Sequence, residues 1–142
     1  MIKQLSLAIP LAAACLAPAF AQQTPAPENA EVYFIAPEDG ATVQAPVTVL
    51  FGLRNAGVAP AGVEMEGTLH HHLFVNRAPF GEDDAAMNIP SDDNHRHFGG
   101  GQTQTTLDLE PGEHTLQLVG GDHNHIPHDP PVVSDVITIT VE

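Results

Sequence analysis

The sequence predicts an all-β fold, an antiparallel β-sandwich of about six to eight strands. Short apolar runs, rich in β-branched residues, recur along the chain and are separated by turn residues such as those at 37–40 (PEDG) and 110–113 (EPGE). No window shows the apolar spacing of an amphipathic helix, and 13 prolines oppose long helices. A chain of 142 residues is long enough for one small domain with a single core.

The first half of the predicted domain contributes three strands. Residues 31–36 (EVYFIA) and 46–53 (PVTVLFGL) are apolar and contain the β-branched and aromatic residues that suit a pleated surface. Residues 68–75 (TLHHHLFV) form the third strand. Residues 22–30, with prolines and small side chains, are expected to be a flexible linker ahead of a domain at 31–142.

The second half of the predicted domain alternates between strands and long or histidine-rich loops. We expect strands at 103–109, 114–119 and 132–141, each bounded by glycine or proline. Residues 77–102 are predicted to be a long irregular segment, and residues 120–131 a loop rich in histidine and proline.

The N-terminus predicts secretion to the periplasm or out of the cell. Lys3 precedes an apolar stretch at residues 5–16 that is too short to span a bilayer as a helix, so no transmembrane segment is expected. The small-x-small pattern that ends at Ala21 is typical of signal-peptide cleavage, which makes residues 1–21 the signal peptide.

Cys15, the single cysteine, lies within that signal peptide. Its removal leaves a mature chain without a thiol, which excludes cysteine-based zinc sites, thiolate nucleophiles and blue-copper centres. The alternative is a lipoprotein anchored through Cys15, although Ala12 stands where such sites usually have leucine.

The charge of the chain excludes nucleic acid as a partner. Four basic residues stand against 18 acidic ones, and the formal net charge is −14 with histidine neutral. Such a surface repels nucleic acid and anionic lipid, and it attracts cations. The same acidity also serves solubility.

Nine histidines, eight of them in clusters, are the strongest functional signal. Side chains alternate faces along a strand, so His70 and His72 share one face of the strand at 68–75. His71 falls on the other face with Leu69 and Leu73, and we expect it to be a buried structural residue. Two neutral imidazoles one strand-repeat apart can chelate a single ion.

The sequence resembles two known kinds of domain. The strand, PEDG turn and PVTV strand at the start resemble bacterial immunoglobulin-like modules. The pieces TLHHHL, GEHTLQL and HIPHDPPVVS resemble a family of small secreted bacterial His-rich domains of unknown function, over roughly residues 31–141. The resemblance implies an immunoglobulin-like fold and no established activity.

An immunoglobulin-like strand order would gather most of the histidines at one end of the sandwich. The six strands would then act as A, B, C, E, F and G, with the start of C beside the loop that follows F. The segment at 95–97, just before strand E, lies at the same end. His114 opens strand F at the opposite end and is expected to be structural, hydrogen-bonded to a nearby turn.

The sequence therefore predicts a site for a divalent metal ion, Cu(II) or Zn(II), at this end. Its principal ligands would be His70, His72, His125 and His128. Lower-ranked ligands are His123, His95 and His97. Asp122 and Asp129 would orient the imidazoles.

Storage, delivery or buffering of the ion is the expected function. One alternative is an immunoglobulin-like module that contacts an envelope protein or cell-wall polymer without metal. Another is a metal-dependent hydrolase with Glu64 or Glu66 as base, but the sequence has no recognisable catalytic motif, so an enzyme is not expected. A minor option is calcium at Asp83–Asp84 or Asp92–Asp93.

Overall fold

The computed structural model describes residues 23–142. The predicted signal peptide and Cys15 lie outside the described residues. Across the part described, no helix is long and apolar enough to cross a membrane.

Nine strands and one short 3₁₀ turn make up the regular structure of residues 23–142. They are β1 (Glu31–Ala36), β2 (Thr42–Val43), β3 (Val47–Arg54), β4 (Gly57–Val58), β5 (Thr68–Val75), the turn at Glu82–Asp84, β6 (His95–His97), β7 (Gln104–Leu107), β8 (Gly112–Gly121) and β9 (Ile137–Val141).

The strands form two sheets, which confirms the predicted β-sandwich. The first sheet has the order β1-β3-β7, and the second has the order β2-β9-β8-β5-β4, with β6 also paired to β5. Strands β1, β3 and β7 occupy the places of A, B and E, and β5, β8 and β9 those of C, F and G. The three additional strands, β2, β4 and β6, have only two or three residues each. Such short segments carry no readable periodicity, which is why the count exceeds the expected six to eight.

The main core lies between the two sheets and is built by alternate residues of each strand. Val49 and Phe51 of β3 face Leu73 of β5 and Leu118 of β8, and all four side chains are buried. His71 belongs to the same inner face, where its ring lies 5.2 Å from that of Phe51. The prediction of a buried structural histidine at this position is confirmed.

A second, smaller apolar cluster covers the outer face of β5. Phe74 of β5 and Val119 of β8 pack against Ile89, with Phe80 beside them. Phe80 and Ile89 come from the connection between β5 and β6, which folds back over the sheet. Strand β5 is therefore buried on both faces, and this decides the environment of the histidines on its outer face.

Arg77 stabilises the connection between β5 and β6 through a cation–π contact and an ion pair. The guanidinium of Arg77 lies 4.3 Å from the ring centre of Phe74 and donates to both carboxylate oxygens of Asp84, at 3.1 and 3.0 Å. This bidentate pairing gives the expected irregular segment a fixed path.

The start of the described chain, within the linker expected at residues 22–30, pairs with the loop that follows β8. The amide of Ala26 donates to the carbonyl of Asp129 at 3.0 Å, and the amide of Asp129 donates to the carbonyl of Thr24 at 3.0 Å. The turn-like composition of this segment does not predict the pairing, because the pairing depends on a partner about a hundred residues away. The segment forms one wall of the loop that follows β8.

Candidate metal centre

Two adjacent strands place three imidazoles on the outer face of the second sheet. His70 and His72 lie two residues apart on β5, and His97 of β6 pairs directly with His72. His70 and His72 have exposed fractions of 1% and 0%, and His97 is half-buried. The alternation predicted for residues 68–75 thus holds, but the face carrying the pair is covered rather than open.

The three side chains are close enough to share one ion. Their ligating nitrogen atoms all lie within 4.8 Å of one another, and the Nε2 atoms of His70 and His72 are 2.9 Å apart. Among residues 23–142 they form the one group of three or more histidine, cysteine or acidic side chains with this geometry.

His125, from the loop after β8, adds a fourth ring to the group. Its ring centre lies 4.6 Å from that of His97, 5.2 Å from that of His70 and 6.0 Å from that of His72. We call His70, His72, His97 and His125 the imidazole cluster. One strand pair and one loop thus bring four imidazole rings together.

The backbone of His125 adopts a conformation that residues other than glycine rarely take. Its φ is 65°, its amide donates to the carbonyl of Asp122 at 2.9 Å, and its carbonyl accepts from the amide of Ile89 at 2.8 Å. Such a conformation persists only where the surroundings determine it, and it is common at functional sites. Here it turns the ring toward the three strand histidines.

Asp122 fixes the shape of that loop through its buried carboxylate. The carboxylate accepts from the Thr24 hydroxyl at 2.7 Å and from the amides of Asn124 and Ile126 at 2.8 and 2.9 Å. Burial acts to raise the pKa of Asp122, but these hydrogen bonds hold it below its ordinary value. Asp122 therefore positions His125 through the backbone and makes no hydrogen bond to a ring of the imidazole cluster.

Two glycines leave the space that the rings occupy. A Cβ on Gly121 would lie 2.7 Å from Nε2 of His72, and a Cβ on Gly99 would lie 2.3 Å from Cε1 of His97. Contacts that short do not occur between real atoms, so any side chain at either position would displace a ring. Gly121 faces His70 in the β5–β8 register, which ties the gap to the strand pairing.

Burial favours the uncharged form of His70, His72 and His97. Burial is the main cause that lowers the pKa of His70 to about 4 and that of His72 to about 2, and the neighbouring imidazoles add to both shifts. Burial, followed by the proximity of His125, also lowers the pKa of His97. Nδ1 of His72 and Nε2 of His97 are buried without a hydrogen-bond partner. Neutral rings with unpaired nitrogens are the form in which histidine binds metal.

Five of the predicted site residues lie outside the cluster: Asp122, His95, His128, His123 and Asp129. Nδ1 of His128 lies 3.2 and 3.3 Å from the carbonyl oxygens of Thr24 and Pro25. Nε2 of His123 accepts from the side-chain amide of Asn124 at 2.9 Å. Asp129 is exposed and pairs through its backbone with the start of the chain. The expectation that His128 stands with His70 and His72 is not met.

His95 belongs to a different network although it is only two residues from His97. Its Nδ1 lies 2.8 Å from a carboxylate oxygen of Asp92, and its Nε2 lies 2.8 Å from the guanidinium of Arg77. Its ring packs edge-on against Phe74 at 5.0 Å. These bonds occupy both nitrogens, so His95 helps to hold the connection over the sheet. His97, ranked low from the sequence, takes the place in the cluster.

The remaining predictions concern residues away from the cluster. Nε2 of His114 donates to the carbonyl of Glu110 at 2.8 Å, which confirms the predicted bond to a nearby turn. Glu64 and Glu66 are exposed and line a cleft with His123 and His128.

The calcium option at the paired aspartates finds no support in their contacts. Asp84 is paired with Arg77, and Asp92 with His95. Carboxylates already engaged in this way offer few free oxygen atoms to a hard cation.

Comparison with known protein families assigns the chain to one family. A family model described as Domain of unknown function (DUF4399) matches residues 49–142. The chain belongs to this family. The matched range contains the imidazole cluster, both glycines and Asp122. No curated protein and no solved structure matches the chain.

Proposed function

We propose that this DUF4399 protein binds one Cu(II) or Zn(II) ion through His70, His72 and His97, with His125 as the fourth ligand. The observation that carries the proposal is the convergence of three buried ligating nitrogens within 4.8 Å. Storage, delivery to an envelope protein or buffering of the ion is the corresponding function. The predicted signal peptide supports a periplasmic or secreted location.

The donor set favours a late first-row metal. Imidazole suits zinc and copper, whereas calcium and magnesium require oxygen ligands that the cluster lacks. Ligands of a tetrahedral zinc ion lie about 3.3 Å apart, given metal–nitrogen bonds of about 2.0 Å, whereas Cu(II) prefers a square-planar arrangement. The ring nitrogens lie within 4.8 Å of one another and would close in on the ion. Affinity order favours Cu(II) where both ions are present.

The fourth ring favours binding over catalysis. A catalytic zinc site keeps one position open for water, whereas a structural or carrier site is closed by a fourth protein ligand. His125 lies against the other three rings, and the carboxylates of Glu64 and Glu66 line a different cleft. We therefore propose that the protein is not an enzyme.

Titration of the untagged chain with Cu(II) and Zn(II), after treatment with a chelator, tests the proposal. We expect one equivalent to bind. His97→Ala should weaken binding at least about a hundredfold, since loss of an outer partner alone can cost 10–100-fold. The combined change His70→Ala and His72→Ala should abolish it. Circular dichroism verifies that each variant is folded.

His71→Leu is the matched control. His71 is adjacent in sequence and equally buried, but it faces the apolar core on the other side of β5. We expect it to keep stoichiometric binding. Binding that persists in a folded His97→Ala variant, or that disappears in a folded His71→Leu variant, contradicts the assignment.

A further inference from the structure

A separate cleft lies on the other side of the loop that carries His125. It has a volume of about 630 Å³ and lies between the start of the described chain and the segment that leads into β5. Its size falls in the range of small-molecule sites, about 300–1,000 Å³. Among residues 23–142, the one group of three or more metal-ligating side chains is His70, His72 and His97. The cleft therefore has no such group.

The side-chain donors of this cleft are already engaged inside the protein. The Thr24 hydroxyl donates to Asp122 at 2.7 Å, and the Thr68 hydroxyl donates to the carbonyl of Met65 at 2.7 Å. The Asn55 amide donates to the carbonyl of Asn29 at 2.9 Å. The two hydroxyls have therefore used their single donors, and Asn55 keeps one N–H for a ligand.

The acceptors, by contrast, are free. Glu28, Glu64 and Glu66 line the cleft with exposed carboxylates, and neither lysine nor arginine is among the lining residues. Charge of one sign along a concave surface raises the local concentration of ligands of the opposite sign. The cleft is thus complementary to a cation that brings its own hydrogen-bond donors.

His128 gives independent evidence that a donor belongs in this cleft. The side chain lines the cleft and has an exposed fraction of only 1%. Its Nδ1 faces two carbonyl oxygens, those of Thr24 and Pro25, so this nitrogen carries the proton. Nε2 is then a bare acceptor, and it is buried without a partner. A buried acceptor left unpaired is unfavourable, and a ligand N–H group would satisfy it.

Apolar side chains complete the lining. Val63 and Met65 are exposed here, unusually for large hydrophobic residues in this chain.

We propose that the cleft binds a small organic cation, an amine or guanidine with a short aliphatic portion. The aliphatic part contacts Val63 and Met65, and the charged end lies among the carboxylates. This binding does not depend on a metal ion.

Calorimetric titration of the full chain with agmatine, in the presence of a chelator and at low salt, tests the proposal. Agmatine carries a guanidinium and an ammonium group on one aliphatic chain. We expect saturable binding at one site. Glu64→Gln combined with Glu66→Gln should weaken it about tenfold, because each exposed charge pair contributes a few-fold.

The matched control is Glu110→Gln combined with Glu113→Gln. Both carboxylates are exposed and lie outside the cleft, Glu110 in the turn before β8 and Glu113 at the start of β8. The control changes the net charge by the same amount and should leave agmatine binding unchanged. His128→Phe, which removes the Nε2 acceptor, should also weaken binding.

Three results would overturn the proposal. Equal weakening in both double variants, or equal competition by Mg²⁺ added in excess of the chelator at the same ionic strength, would mean that only a diffuse counterion layer is measured. Binding of lysine-containing peptides without binding of agmatine would assign the cleft to a protein partner. Because a chelator is present throughout, none of these results depends on the proposed metal site.

Discussion

Unpaired nitrogen atoms on buried imidazoles are the feature that sets this domain apart at the scale of single residues. Burying a polar group without a hydrogen bond costs about 1–3 kcal/mol, so proteins generally avoid it. Here Nδ1 of His72 and Nε2 of His97 are both in this state. An ion bound to Nε2 of His97 would offset that nitrogen's share of the cost, which would link metal binding to stability.

Gly121→Ala tests whether the close packing of the rings matters. The new Cβ would lie 2.7 Å from Nε2 of His72, so the ring must move. We expect metal affinity to fall at least about tenfold and stability to fall by about 1–3 kcal/mol, as for other overpacked sites. Metal titration and urea denaturation measure the two effects.

Gly81→Ala serves as the comparison for that substitution. A Cβ at Gly81 meets no atom closer than 4.0 Å, and its φ of −134° suits any residue. This variant should match the parent protein in both measurements. An unchanged affinity in Gly121→Ala would mean that the rings at this position do not hold the ion.

At the scale of elements, two connections rather than the strands complete the site. The segment between β5 and β6 covers the outer face of the sheet and delivers His97 on a short strand. The loop after β8 delivers His125 in its left-handed conformation. Local alternation predicts the β5 pair, because it depends on a single strand. It cannot predict β6, because three residues are too few to show an alternating pattern and the strand is defined only by its pairing with β5.

Asp122→Ala tests the loop that carries His125. The change leaves the amides of Asn124 and Ile126 without the acceptor they share, and it releases the Thr24 hydroxyl. We expect a loss of about 2–4 kcal/mol in the free energy of unfolding, from one to two buried donors left unpaired. Metal affinity should fall as well, since His125 loses its fixed position. Chemical denaturation and metal titration measure these effects.

Asp135→Ala provides the control for the loop. Asp135 is exposed, and its hydrogen bond in the structure is made by its carbonyl rather than its carboxylate. Its removal should change stability by less than about 0.5 kcal/mol. Equal losses in the two variants would show that net charge, and not the Asp122 hydrogen bonds, determines the result.

At the scale of the whole molecule, the buried histidines make stability depend on pH. Burial lowers the pKa of His70 and His71 to about 4, and burial together with the neighbouring rings lowers that of His72 to about 2. In the unfolded chain all three return to 6.5. Below pH 6.5 the unfolded chain therefore binds protons that the folded chain resists, which favours unfolding.

The metal-free protein should consequently keep a constant melting temperature from about pH 8 to 7 and lose stability steadily from about pH 6.5 to 4. Calorimetry or circular dichroism at several pH values measures this. His71→Leu should show a shallower decline, since one of the three groups is absent. A melting temperature that stays level down to pH 4 would contradict the burial of these rings as neutral bases.

The sequence by itself determined the fold class and the first two members of the imidazole cluster. Alternation and turn residues are local properties, so they identify the sandwich, the inner position of His71 and the shared face of His70 and His72. The tertiary structure alone decided which rings join that pair. His97 enters through the pairing of β6 with β5, and His128, three residues from His125, turns instead to the carbonyls at the start of the chain. Convergence of side chains depends on contacts between distant segments, and no local pattern in the sequence encodes those contacts.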